Sequence, residues 1–269
     1  MQGQYIKRIE IDTLWNGQRH VEWDLKPDVN ILSGVNGVGK STILNRVVKH
    51  LMQVRRLDKA EDGVKVSLYP EEAQRINFDI VLSFDRPLLS SEFLNKVTEA
   101  NLQTELDFHL YQLQRKYLDY QVNLSNRIVE VFTSLDPDAQ RKANEIAQEK
   151  IHFQDIVDDL FRDTGKTIQR NKNEIYFDSF GETISPQKLS SGEKQMLIIL
   201  LSVLVQDRKP FVLFMDEPEV SLHVEWQQRL IGLVRDLNPN VQIILTTHSP
   251  AVIMDGWADA VTDVEDIVS

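Results

Sequence analysis

Alternating apolar and polar residues predict several β-strands in the first third of the chain. The predicted strands cover residues 5–15, 20–25, 29–33, 64–68 and 75–84. The first two are separated by Asn16-Gly17-Gln18, which is typical of a β-hairpin turn. Between the third and fourth strands, apolar residues recur every three or four positions from Ile43 to Met52, which predicts an amphipathic helix.

The middle of the chain has a helical periodicity. Apolar residues step by threes and fours from position 106 to 131 and again from 139 to 160. Asp136-Pro137 interrupts the pattern between these two segments. The sequence therefore predicts a helical hairpin or a small helical lobe.

The last third of the chain alternates predicted strands with predicted helices. The strands cover residues 174–177, 211–215 and 241–246, and the helices cover residues 192–205 and 221–237. This alternation is typical of an α/β fold with a mostly parallel sheet. We expect one domain formed by residues 1–87 and 166–269, interrupted by a helical insertion at residues 88–165.

Composition and charge exclude several classes of protein. The 269-residue chain contains no cysteine, which excludes disulfides, thiolate zinc sites and cysteine nucleophiles. Its formal net charge of −11 argues against broad adhesion to nucleic acid or anionic lipid. No apolar run approaches the roughly 20 residues that span a bilayer. Because the amino terminus also lacks a signal-peptide pattern, we expect a cytoplasmic protein without membrane insertion.

The acidic charge is concentrated in the predicted insertion. Between positions 88 and 165 there are 14 acidic and 8 basic residues. A lobe of this sign is expected to contact a protein rather than nucleic acid, so any contact with DNA would be indirect.

A glycine-rich segment between the third strand and the first helix has the pattern of a phosphate-binding loop. It runs from Gly34 to Ser41, in the sequence GVNGVGKS. The alternative is a plain glycine turn that caps a helix. In the phosphate-loop interpretation, backbone N–H groups surround the phosphates of ATP, Lys40 reaches the β and γ phosphates, and Ser41 ligates Mg²⁺. The predicted nucleotide contacts are Asn36, Gly37, Gly39, Lys40, Ser41 and Thr42.

A second motif follows the apolar run at residues 211–215. Asp216 and Glu217 stand at the carboxyl end of this predicted parallel strand, which is the edge where ligands bind in open α/β sheets. The alternative is a pair of solvated acids at a strand end. We predict that Asp216 holds Mg²⁺ and that Glu217 orients or deprotonates the attacking water.

Two further features complete a recognisable order of motifs. The segment Leu189-Ser190-Ser191-Gly192-Glu193 precedes a predicted helix, so it is either a helix N-cap or a second anion site. His248 follows the strand at 241–246. The order of phosphate loop, serine-glycine signature, acidic strand and lone histidine resembles that of ABC-type ATPases.

That resemblance implies a P-loop NTPase with a mixed sheet, flanking helices and an inserted helical lobe. It also implies a head-to-tail homodimer or higher oligomer in which Ser190 and Gly192 of one copy contact the γ-phosphate held by another. His248 would correspond to the histidine that senses the γ-phosphate, and would act beside Glu217 in catalysis.

Three departures from the transporter pattern indicate the kind of ATPase. Ser191 replaces a glycine of the signature, Glu193 replaces its glutamine, and His223 stands where transporter subunits carry an aspartate. These departures resemble stand-alone ATPases of the OLD-like, SMC-like and RecF-like groups, many of which belong to bacterial anti-phage systems. The resemblance implies an ATPase that drives or gates a partner effector such as a nuclease. A transporter's ATP-binding subunit and an enzyme acting directly on DNA remain as alternatives.

Two single residues are interpreted less specifically. Gln74, just ahead of the strand at 75–84, is a candidate for the family's glutamine-loop residue, and the alternative is a solvated surface residue. Trp15 is one of four tryptophans that are too widely spaced to define a base-stacking platform. We expect it to pack in the core or at its edge.

Overall fold

The computed structural model describes residues 1–15, 17–56, 63–82, 102, 104–134 and 136–269. The described chain divides into two compact units. The first consists of Met1–Ser83 and Arg208–Ser269, and the second of Phe84–Asp207.

The described elements are numbered here in chain order. The strands are β1 (Gln2–Gly3), β2 (Tyr5–Leu14), β3 (Arg19–Asp24), β4 (Val29–Ser33), β5 (Val64–Tyr69), β6 (Arg75–Ile76), β7 (Phe78–Leu82), β8 (Lys166–Ile168), β9 (Phe177–Ser179), β10 (Glu182–Ile184), β11 (Phe211–Asp216), β12 (Val241–Thr246) and β13 (Val261–Asp263). The α-helices are α1 (Lys40–Arg55), α2 (Glu105–Thr133), α3 (Ala139–Leu160), α4 (Ser191–Leu204), α5 (Val224–Leu237), α6 (Pro250–Ile253) and α7 (Val264–Ile267).

A five-stranded parallel sheet forms the centre of the first unit, in the order β13-β4-β12-β11-β7. Every residue of β11 and β12 is buried, as expected for parallel strands covered on both faces. Asp216 lies opposite both Thr246 and Leu82, and Thr246 lies opposite Leu32. The carboxyl ends of four strands therefore meet at one edge of the sheet.

The first unit also contains antiparallel strands in the order β3-β2-β5 and the short parallel pair β1-β6. Alternate residues of β2, including Ile9 and Ile11, enter a core that also contains Leu44 and Val47 of α1. Gln242 of β12 is fully buried and bonds to the Ile6 backbone twice, accepting from its N–H at 2.7 Å and donating to its C=O at 2.8 Å. The buried amide of Gln242 thus satisfies its polar atoms against the backbone of β2.

The second unit combines a helical hairpin with a small sheet. Helices α2 and α3 pack through aromatic residues, among them Tyr117 and Phe153, whose ring centroids are 6.4 Å apart. Strands β8, β9 and β10 form an antiparallel sheet in the order β10-β9-β8. Helix α4 is almost completely buried after its first turn.

The fold class predicted from the sequence is confirmed, and three element boundaries are corrected. The strand expected at 174–177 is wrong, since β9 begins at Phe177 and its partners β8 and β10 were not predicted. The helix expected from residue 221 begins at Val224, because a turn closed by the bond from Leu222 N–H to Glu219 C=O precedes it. The strand expected at 75–84 is divided into β6 and β7, and Phe84 lies outside the described residues.

The domain boundaries expected from the sequence differ from those of the compact units. The second unit extends to Asp207, whereas the insertion was expected to end at residue 165. Its expected start, residue 88, lies outside the described residues. The extent of the insertion stays a prediction. No helix in the described part of the chain is long and apolar enough to cross a membrane.

Candidate functional site

The phosphate loop occupies the turn between β4 and α1, at the carboxyl edge of the parallel sheet. Gly37 and Gly39 have φ angles of 83° and 107°, which a residue with a side chain rarely adopts. Lys40 is 4% exposed, and its Nζ donates to the carbonyl oxygens of Gly34 at 2.9 Å and Val35 at 3.3 Å. The ammonium group thus lies inside the curve of the loop, beside the N-terminus of α1.

The other predicted nucleotide contacts lie on or next to this loop. Asn36 and Gly37 are exposed at its tip, and Thr42 is exposed in the first turn of α1. This first turn presents free backbone N–H groups and a positive partial charge to any anion held by the loop.

Ser41 and Asp216 are brought together although 175 positions separate them in the sequence. Ser41 Oγ donates to Asp216 Oδ1 at 2.8 Å, and Thr246 Oγ1 donates to the same oxygen at 2.6 Å. These are hard oxygen ligands of the kind that Mg²⁺ prefers. Because the described residues include no group of three His, Asp or Glu side chains able to hold a metal, Mg²⁺ here would need oxygen atoms from a nucleotide as well.

Glu217 and His248 face each other at the same edge. His248 Nδ1 lies 3.3 Å from Glu217 Oε1, and the two side chains are 47% and 18% exposed. Glu217 has a φ of 47°, and its N–H donates to the backbone oxygen of Thr246 at 3.0 Å. The strained backbone turns the Glu217 carboxylate out of the strand direction and towards the histidine.

Trp15 is a site residue that the sequence interpretation missed. A Cβ atom built on Gly39 would lie 2.5 Å from Trp15 Cζ2, so the indole ring rests directly against the phosphate loop. The ring belongs to a residue that is 41% exposed and therefore offers a partly open aromatic face beside the loop. No sequence signal pointed to this contact, because Trp15 ends a hairpin strand 24 positions before Gly39.

Gln74 does not reach the site. It lies just ahead of β6 and bonds through its N–H to the carbonyl oxygen of Met1. The site is at the carboxyl end of β7, where Leu82 pairs with Asp216, whereas Gln74 precedes the amino end of that strand. The interpretation of Gln74 as a glutamine-loop residue is therefore wrong.

The signature segment belongs to the second unit and begins α4. Ser190 is the N-cap, and its hydroxyl accepts from the Glu193 N–H at 3.3 Å. Glu193 Oε2 accepts from both the N–H and the hydroxyl of Ser190, each at 2.9 Å. The N-cap interpretation is thus correct. Ser190 and Ser191 are exposed at the N-terminus of α4, and the anion contact that was the other interpretation stays a prediction.

Glu193 is held from its other side by Thr164 and by Lys166, the first residue of β8. Its Oε1 accepts from Lys166 Nζ at 2.8 Å and from Thr164 Oγ1 at 2.7 Å. Burial raises the pKa of the Glu193 carboxyl, but the hydrogen bonds from Lys166, Ser190 and Thr164 outweigh it, and the pKa lies below its usual value. The signature serine is therefore bonded to a charged carboxylate at neutral pH.

Comparisons with known proteins indicate the family of the chain. Residues 115–255 match the family described as "AAA domain, putative AbiEii toxin, Type IV TA system". The chain is 24% identical to Septu protein PtuA of Bacillus thuringiensis, across 92% of this chain and 72% of that protein. It is 25% identical to the phosphate import ATP-binding protein PstB of Thermococcus kodakarensis, across 88% of this chain and 78% of that protein.

Two further matches are more limited in what they show. The Vc95 retron probable ATPase of Vibrio cholerae is 34% identical, but across only 27% of this chain and 16% of that protein. The crystal structure of an SMC head bound to the C-terminal winged-helix domain of ScpA superposes with a TM-score of 0.53. It is 15% identical and covers 93% of this chain and 92% of that one, which shows the fold alone. The likeness to stand-alone ATPases of the ABC type is confirmed.

Proposed function

The chain belongs to the AAA domain family that matches residues 115–255, and we propose that it binds and hydrolyses ATP to drive or gate a protein partner. The observation that carries this proposal is a series of contacts at one sheet edge. Ser41 and Thr246 both donate to Asp216. The Glu217 backbone N–H donates to Thr246 Oγ1, and the Glu217 carboxylate faces His248. Each of these five residues is proposed to have a specific role in phosphoryl transfer.

Nucleotide binding is assigned to the phosphate loop and to Trp15. The backbone N–H groups around Gly37 and Gly39 surround the phosphates, and Lys40 turns from the loop carbonyls to the β and γ phosphates. The partly exposed ring of Trp15 stacks on the adenine base. Stacking of a base on an aromatic side chain contributes about 1–3 kcal/mol.

Mg²⁺ would be held by Ser41 Oγ and Asp216 Oδ1 together with phosphate oxygens, and when bound it would neutralise charge that develops on the transferred phosphoryl group. Thr246 supports this role by donating to the same Asp216 oxygen at 2.6 Å. It thereby fixes the rotamer of the carboxylate.

Hydrolysis is assigned to Glu217 and His248. The Glu217 carboxylate accepts a hydrogen bond from the attacking water and orients it towards the γ-phosphate. His248, 3.3 Å from Glu217, lies where it can donate to a γ-phosphate oxygen. The reaction transfers the γ-phosphoryl group from ATP to water.

A complete site is proposed to require a second copy of the chain. Ser190 and Gly192 of that copy would bind the γ-phosphate at the exposed N-terminus of α4, so ATP would join two protomers head to tail. Loss of the γ-phosphate would remove this contact and release the dimer.

The partner of the ATPase is proposed to be a protein effector such as a nuclease in a bacterial defence or DNA-maintenance system. The acidic balance of residues 88–165 favours a protein surface over DNA as its contact. The relatives named as Septu and retron proteins support the same context. A transporter's ATP-binding subunit is the second candidate, favoured by the match to PstB across 88% of the chain. Purification of the native complex separates the two, since a nuclease supports the first and a membrane permease the second.

Substitution of Glu217 tests the proposed site. Glu217→Gln should bind ATP normally and accumulate as an ATP-bound dimer, because hydrolysis would be blocked. Lys40→Ala should lose ATP binding, and Glu225→Gln, an exposed glutamate on α5, is the matched control. With Mg-ATP present, light scattering measures dimer formation and calorimetry measures ATP affinity. A Glu217→Gln protein that stays monomeric would contradict the composite site, and unchanged ATP affinity of Lys40→Ala would contradict the nucleotide site.

A further inference from the structure

Glu219 is a buried carboxylate that the proposed chemistry does not use. It is 4% exposed, and its Oε1 accepts from Thr247 Oγ1 and, at 3.3 Å, from the backbone N–H of His248. Its second oxygen, Oε2, has no hydrogen-bond partner among the described residues. Burial of a carboxylate with one oxygen unpaired is costly, so its presence needs a function other than stability.

Gln227 of α5 makes a second connection to the same loop. Its Nε2 donates to the carbonyl oxygens of Glu219 at 3.2 Å and Leu222 at 2.9 Å. Its Oε1 accepts from Ser249 Oγ at 2.7 Å. One amide thereby bridges the segment that follows Glu217 and the loop that carries His248.

Together the two side chains hold the loop on both sides of the histidine. Glu219 binds at Thr247 and His248, and Gln227 binds at Ser249. The Thr247 N–H also donates to the carbonyl oxygen of Leu32 at 3.3 Å, and this bond attaches the start of the loop to the parallel sheet. The imidazole of His248 is 47% exposed. Its Nδ1 lies 3.3 Å from Glu217 Oε1 and 3.9 Å from Glu219 Oε1.

We propose that Glu219 and Gln227 are positioning residues, which hold His248 at the distance from Glu217 that γ-phosphate recognition requires. This inference rests on the proposed function of His248. The hydrogen bonds of the two side chains lead to residues 247–249 and to the backbone of Glu219 and Leu222, so both are proposed to act through the histidine. The loop 247–249 and the segment 217–223 are thus connected as one body, and His248 and Glu217 keep a common geometry.

Steady-state ATP hydrolysis by single and double variants tests the proposal. Glu219→Ala and Gln227→Ala should each lower kcat about tenfold, equivalent to about 1.4 kcal/mol, with KM for ATP within about twofold of the wild type. Glu219→Gln keeps the Oε1 acceptor and should retain most of the activity. Glu225→Ala and Gln228→Ala, exposed neighbours on α5, are the matched controls and should have no effect.

The double variants distinguish positioning from a general structural role. In a His248→Ala background, Glu219→Ala and Gln227→Ala should change kcat by less than about twofold, because the residue through which they act is gone. Losses that multiply with that of His248→Ala would overturn the proposal, as would unchanged kcat in both single variants. Ser249→Ala removes only the hydroxyl bonded to Gln227 and gives a milder test if Glu219→Ala fails to fold.

A measurement without turnover keeps the inference separate from the proposed function. In protein isotopically labelled at its six histidines, the NMR signal of the His248 ring is assigned by its loss in His248→Ala. In Glu219→Ala this signal should move to the position of a mobile histidine, while the other five stay in place. An unchanged His248 signal would overturn the positioning role even if the wild type hydrolyses ATP. Failure of the wild type to hydrolyse ATP would instead contradict the function proposed for the site.

Discussion

A methyl group added to Gly39 perturbs the phosphate loop in two separable ways. Gly39 has a φ of 107° and a ψ of 13° at the N-cap of α1. Alanine in left-handed backbone costs about 1–2 kcal/mol. Its Cβ would also stand 2.5 Å from Trp15 Cζ2 and 2.9 Å from Cη2, so the indole ring must move away. The ring is the end of a partly exposed side chain, and it can turn into solvent.

These two effects have different expected magnitudes and readouts. The backbone strain should lower the melting temperature of Gly39→Ala by about 2–8 °C, at about 2–4 °C for each kcal/mol. Displacement of the ring should weaken ATP binding by about 5- to 150-fold, because stacking on a base contributes about 1–3 kcal/mol. Some further loss of affinity follows from the altered loop itself.

A double-mutant cycle with Trp15 separates the ring from the loop. Calorimetry gives the ATP affinity of the wild type, Gly39→Ala, Trp15→Ala and the double variant. In the Trp15→Ala background, Gly39→Ala should weaken binding about tenfold less than in the wild type, since no ring remains to displace. Equal effects of Gly39→Ala in both backgrounds would refute the stacking role of Trp15. Trp15→Phe is the control and should keep most of the affinity.

Three other predictions concern the sheet, the signature and the metal. Gln242→Leu should lower the free energy of unfolding by on the order of 3 kcal/mol, because it removes the hydrogen bonds of Gln242 to the Ile6 N–H and C=O. Urea denaturation measures this loss. A loss no larger than that of the exposed control Gln228→Leu would contradict the role of Gln242. Lys166→Met should destabilise the protein at neutral pH by removing a hydrogen bond that lowers the pKa of Glu193. That stabilisation is complete above the ordinary glutamate pKa of about 4.3 and is lost as pH falls through the lower pKa of folded Glu193. The difference in melting temperature should therefore be constant near neutral pH and shrink below about pH 4. An equal difference at neutral pH and at the lowest pH at which the protein stays folded would argue against it. Asp216→Asn should bind ATP equally well with and without Mg²⁺, whereas chelation of Mg²⁺ should weaken binding by the wild type; a persistent Mg²⁺ effect in the variant would exclude Asp216 as a ligand.

Local motifs were predictable because their chemistry lies in consecutive residues. The glycines of the phosphate loop are required by local backbone angles, and the loop follows an apolar strand and precedes a periodic helix. Asp216 and Glu217 end a run whose burial follows from its composition. Strands β8, β9 and β10 escaped prediction because each has three residues, which is too short for an alternating pattern.

Most contacts between distant segments were not predictable, because periodicity along the chain carries no information on strand order. The sequence by itself determined the α/β class, the phosphate loop, the acidic strand end and the serine N-cap of α4. The Mg²⁺ role predicted for both Ser41 and Asp216 implied that they meet, as they do. Only the tertiary structure decided that Trp15 rests on Gly39 and that Glu219 and Gln227 hold the loop of His248. The physical reason is the order β4-β12-β11, which brings the carboxyl ends of three strands to one edge although their sequences are far apart.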